Sequence, residues 1–153
     1  MRLEIGGDHM VKTVLLACNG TREGRTGLFE FMQVIPPAGV KIHLLAVVRL
    51  PTSAFLAEGF VPESVMDDER VRYQEIVDEG VHLLVERGYE VVPHLAYGEP
   101  IEEIVELAKQ LNAELIVVGH ERETSLAQRW WKGSVGASLI EVSPCSVLIA
   151  IDR

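Results

Sequence analysis

The residues best placed to do chemistry are a glycine and a hydroxyl in tandem, Gly133-Ser134-Val135, at the start of a stretch with helical period. A helix N-terminus leaves its first backbone N–H groups without intrahelical partners and carries partial positive charge, so it suits an anion such as a phosphate group. The same three residues also read as an ordinary helix start, with Ser134 as the capping side chain. Three further segments follow apolar runs: Asn19-Gly20-Thr21, Val47-Val48 at the end of the second run, and the long stretch from Gly119 to Ser134. If those runs are strands of an open parallel sheet, their carboxyl ends converge where the strand order reverses, the usual place for a ligand.

Other side chains that carry chemistry stand alone. His120 lies at the ligand edge with no acid–base partner or metal-ligand spacing, and reads as a loop histidine. His43, His82 and His94 are read as isolated from one another. Trp130-Trp131 suits stacking on a base or a partner, or simply covering apolar surface. Asp67-Asp68-Glu69 is expected in the first turn of a helix, where acids complement the dipole. Cys18 and Cys145 fall in apolar stretches and read as small buried hydrophobes rather than as a disulfide or a metal pair. The sequence has no Gly-x-Ser-x-Gly elbow, no Gly-Lys-Ser/Thr phosphate loop, no Cys-x-x-Cys and no Gly-x-Gly-x-x-Gly after the first run.

The elements that must position these residues show in the hydrophobic pattern. Val14 to Cys18, Ile42 to Val48 and Leu115 to Val118 are short and almost wholly apolar, as strands buried on both faces are. Glu90 to Tyr97 is mixed and reads as a sheet edge, and Ser146 to Ile151 supplies a fifth strand. Between them, Leu28, Phe31, Met32 and Ile35 have helical spacing ended by Pro36-Pro37. Met66 to Arg87 forms a longer helix, closed by Gly88 as a positive-φ residue. Ile101, Ile104, Val105, Ala108 and Leu111 mark another helix, and residues 134–142 the last. Arg49 to Ser64 is an irregular segment with Phe55, Leu56 and Phe60, expected to pack on the adjoining helix or to serve as a contact loop. Alternating strands and helices predict one doubly wound α/β domain, a five-stranded parallel sheet between helices. Residues 10–153 form that domain. Met1 to His9 departs from the pattern and reads as a cloning remnant or an alternative start before Met10.

Composition narrows the function. At 153 residues the chain holds one sizeable core. Its 14 Lys and Arg against 23 Asp and Glu, a formal charge of −9, disfavour nucleic acid and anionic membrane surfaces as partners. No apolar run spans a bilayer and no secretory leader opens the chain, so the expected location is cytoplasmic.

Taken in order, Val14 to Thr21, Gly98-Glu99-Pro100, Leu115 to Gly119, Gly133-Ser134-Val135 and Ser143-Pro144-Cys145-Ser146-Val147-Leu148 resemble the universal stress protein family over Met10 to Ile151. The resemblance implies strand order 3-2-1-4-5, as in adenine nucleotide alpha-hydrolase-like folds, and a homodimer paired along Ser146 to Ile151. It further implies a regulatory protein holding ATP or AMP, with a divalent metal only as the nucleotide's companion. Adenine would lie against Ala17 and the backbone of Val47 with Val118-Gly119 alongside, and phosphates over Gly133, Ser134 and Val135. The nucleotide-binding members resemble Gly, two residues, Gly, nine residues, then Gly-Ser or Gly-Thr. Here Gly119 fits, but Arg122 replaces the second glycine and ten residues precede Gly133. Asn19 stands where the family usually has aspartate; it retains hydrogen bonds for a ribose but brings no charge for a metal. Arg122, with Arg129 or Lys132, offers charged side chains to the phosphates in place of backbone amides. The alternatives are a slow nucleotide-hydrolysing or phosphate-transferring enzyme, and a protein-interaction module with a vestigial pocket.

Overall fold

The computed structural model describes residues 10–19, 22–49, 63–120 and 139–151. Along the chain run β1 (Thr13–Cys18), α1 (Arg22–Val34), β2 (Lys41–Val48), α2 (Glu63–Glu86), β3 (Glu90–Tyr97), α3 (Pro100–Leu111), β4 (Leu115–His120) and β5 (Ser146–Ile151). A helical stretch at 139–142 leads into β5. The strands form one sheet in the order β3-β2-β1-β4-β5, every pair parallel.

The period-2 alternation of side chains sorts this sheet into two cores. Val14, Leu16 and Cys18 of β1, Ile42, Leu44 and Ala46 of β2 and Val117 of β4 pack with Leu28 and Phe31 of α1 and Val77 and Leu84 of α2. The residues between them, Leu15, Leu45, Val47, Ile116 and Val118, pack with Ile101, Ile104, Val105 and Ala108 of α3 and with Leu139. Both faces are covered, which is why the three central runs contain almost no polar residue. Full burial of one such Leu, Ile or Phe contributes about 1.5–3 kcal/mol.

The helix ends have local causes. Gly88, at φ +90°, closes α2 by donating to the Val85 carbonyl at 2.9 Å, while the Tyr89 N–H reaches Leu84 at 3.1 Å. This is the paired-bond stop that a left-handed residue permits. Asn112, at φ 50°, ends α3 in the same way, with Ala113 donating to the Ala108 carbonyl at 2.9 Å. Gly88 is legible in the sequence as such a stop, whereas Asn112 is a substitute for glycine that only the backbone reveals.

Two boundaries differ from expectation. β4 runs to His120, so Gly119 and His120 are strand residues paired with Ala150 and Ile151 rather than the start of a loop. α2 begins at Glu63, which puts Asp67-Asp68-Glu69 in its second turn and leaves Glu63 as the acid of the first. β5, Ser146–Ile151, has the expected bounds, with Cys145 just before it. A strand end and a helix start are set by the ladder and by tertiary packing, which a composition window does not see.

Candidate functional site

The central strands pair only along part of their length. β1 and β4 are joined from Val14↔Leu115 to Leu16↔Val117, although β1 continues to Cys18 and β4 to His120. On their outer sides both remain held, β1 to β2 as far as Cys18↔Ala46 and β4 to β5 as far as His120↔Ile151. The sheet therefore opens between β1 and β4 at its carboxyl end, at the point where strand order reverses. A crevice at that point is where open α/β sheets take ligands.

Ala17, Val47 and Val118 all belong to the α3 face of the sheet beside this opening. Val47 is 8% and Val118 4% exposed, while the smaller Ala17 is half-buried. Asn19 follows β1 directly and Gly119 follows Val118, so the structure brings five of the expected site residues to one end of the sheet. Arg122, Gly133, Ser134 and Val135 lie outside the described residues, as do Trp130, Trp131 and residues 50–62 of the irregular segment.

A residue the sequence reading missed stands behind the opening. Gly27 of α1 is buried against β4, where an added Cβ would meet the Gly119 nitrogen at 3.2 Å. Its spacing of i, i+4 with Phe31 puts it on the helix's buried stripe, a signal open to a reader who counts glycine as a contact residue.

The opposite face of the same sheet end carries a second cleft of about 240 Å³ between α1 and α2, lined by Cys18, Arg25, Leu28, Ile76, Glu79 and Gly80. Arg25 is already paired with Glu79 at 2.7 Å. Burial pushes the Cys18 thiol up to about 12, with only a weaker opposing hydrogen bond to the backbone. A protonated, 7%-exposed thiol is a packing group here and not a nucleophile. Both cysteines are free.

The histidines require a correction. His43 and His94 are not isolated: Nδ1 of His43 and Nε2 of His94 share a hydrogen bond at 2.8 Å across β2 and β3, one ring donating and the other accepting. His43 pairs in register with Val92, and His94 with Leu45, so the two rings meet diagonally on one face. Burial, followed by the neighbouring His94, holds His43 below its ordinary 6.5, and burial does the same to His94. Among the described residues no group of three or more His, Cys, Asp or Glu is arranged to hold a metal ion. No helix among them is long and apolar enough to cross a membrane.

A five-stranded parallel sheet with helices on both faces, parted at its switch point, defines a doubly wound α/β protein. Residues 10–150 match the model of the universal stress protein family, and the chain belongs to that family. A curated relative, universal stress protein YxiE of Bacillus subtilis, is 29% identical over 150 residues, covering 92% of this chain and 99% of the relative. Among solved structures, the hypothetical protein MJ0577 superposes with a TM-score of 0.78 at 19% identity, covering 94% of this chain and 98% of that one. A family protein from Arabidopsis thaliana, At3g01520 with AMP bound, gives 0.70 at 17% identity, covering 93% and 92%. At such identities the solved structures speak for the fold alone.

Proposed function

We propose that this protein is a regulatory module that holds an adenine nucleotide, ATP or AMP, in the β1/β4 crevice without efficient turnover. The observation that carries the reading is the parting of β1 and β4 beyond Leu16↔Val117, with Ala17, Val47 and Val118 on one face beside the gap. Those small and branched apolar side chains suit the flat face of a base. Asn19 at the end of β1 supplies the amide chemistry a ribose hydroxyl needs. Gly133, Ser134 and Val135 would take the phosphates on backbone amides and the Ser134 hydroxyl, with Arg122 adding charge. The AMP-bound Arabidopsis relative supports this reading by likeness of fold. A divalent cation would arrive with the phosphates, since Asn19 offers it no charge and the described residues add no ligand cluster.

The same reading makes the protein a cytoplasmic homodimer joined along β5. That outer strand, Ser146–Ile151, carries Val147, Leu148 and Ile149 and no charge. Ile140 and Val142, just before it, are 62% and 48% exposed. The other outer strand, β3, contains Pro93, which has no N–H to donate, so β5 is the edge suited to a second copy.

Isothermal titration with ATP and magnesium, run beside an assay for released phosphate, tests the nucleotide reading. Saturable binding without turnover is expected, and Ser134→Ala should weaken it by about tenfold, the scale of one lost charge-assisted hydrogen bond. Turnover would favour the slow hydrolase, and absence of binding the interaction module. Unchanged affinity in Ser134→Ala would remove the phosphate assignment.

A further inference from the structure

Helix α1 meets β4 at a point where neither chain carries a side chain. A Cβ on Gly27 would stand 3.2 Å from the Gly119 nitrogen, 3.5 Å from the Gly119 Cα and 3.6 Å from the Val118 carbonyl carbon. Val117 belongs to the α1/α2 core and Val118 to the α3 core. By alternation the missing side chain of Gly119 therefore falls on the α1 side too. Helix and strand touch backbone to backbone, at the two β4 residues that border the crevice.

An approach of 3.2 Å is tighter than ordinary van der Waals contact, so an added methyl must move its neighbour by a few tenths of an ångström. Here the neighbour is strand backbone, which has no rotamer to relieve the contact. Gly119 is tied to Ala150 of β5, whereas the β1 ladder has already ended at Val117. Pressed from the α1 side and held on the β5 side, this backbone moves toward the crevice. Gly80 provides the contrast. Its added Cβ would crowd the same core at 2.7 Å, but against the Leu44 Cδ2 atom, the end of a side chain that can turn away.

We infer that Gly27 is a positioning residue for the nucleotide: by lacking a Cβ it lets α1 hold the Val118–Gly119 backbone at the depth the ligand requires. The inference rests on the crevice being a nucleotide site. It concerns a residue on the far side of the strand that touches no ligand atom.

The test compares Gly27→Ala with Gly80→Ala, measuring ATP affinity and melting temperature on the full chain. Gly27→Ala should weaken ATP binding by about 3- to 10-fold, the scale expected when a site's support shifts by a fraction of an ångström. Gly80→Ala should lower the melting temperature at least as much and leave affinity unchanged. Equal affinity in Gly27→Ala and the parent, or affinity losses that follow melting temperature in both variants, would overturn the inference. If the parent binds no ATP, the nucleotide reading fails and this inference with it. The packing beneath it is read separately, on the unmutated chain, as a nuclear Overhauser contact between the Gly27 Hα protons and the Gly119 amide. Its presence with no ATP binding would assign the failure to the ligand and not to the packing; its absence would overturn the contact itself, even if Gly27→Ala does not fold.

Discussion

At the scale of the residue, the paired histidines make stability depend on pH. Both rings are held below their ordinary 6.5, chiefly by burial, with the Lys41–Glu90 ion pair at 2.9 Å acting on His43 in opposite senses. As pH falls below that value the unfolded chain takes up protons before the folded one does, so stability present above it is lost on acidification. Denaturant titrations from about pH 7 to pH 5 should show this loss, and His94→Gln should make it shallower. Parallel curves for the two proteins would mean that the pair does not titrate as its surroundings require. Cys18 gives an independent check on burial. With its thiol near 12, iodoacetamide at about pH 8 should modify it at least about a hundredfold more slowly in the native chain than in denaturant. Rapid native alkylation would mean that the floor of the α1/α2 cleft opens readily.

At the scale of the element, the two outer strands differ in ways that predict assembly. β3 contains Pro93 and carries charge at Glu90, while β5 is uncharged and apolar beyond Ser146. An edge of the second kind is left unprotected only when something pairs with it. Sedimentation at micromolar concentration should give a dimer, and Ile149→Lys should shift it to monomer with the far-UV spectrum unchanged. A parent chain that sediments as a monomer would contradict pairing through β5. The elements themselves were largely legible beforehand. Three almost wholly apolar runs mark strands covered on both faces, and Gly88 marks the end of α2, because each signal lies within a few residues of sequence. The start of α2 at Glu63 and the extension of β4 to His120 were not, because each depends on neighbours distant in the chain.

At the scale of the whole molecule, alternation of strands and helices gives a doubly wound parallel sheet, while its order, β3-β2-β1-β4-β5, and so the place of the crevice, was implied by the family resemblance. What the pattern does not carry is register. Whether His43 and His94 meet depends on a diagonal between two strands, and whether Gly27 touches Gly119 depends on how deeply α1 settles on the sheet. Neither is a property of one segment, so both appear only when the strands are laid side by side. Asn19 and Val47 stand at the ends of apolar runs that the sequence marks by itself, whereas Ala17 and Val118-Gly119 were implied by the family resemblance. The most direct measurement is a titration of isotope-labelled protein with ATP, followed amide by amide. Saturable shifts centred on Ala17, Asn19, Val47, Val118, Gly119 and residues 133–135 are predicted. No saturable shifts, or shifts confined to Cys18, Leu28 and Gly80 around the α1/α2 cleft, would contradict the account.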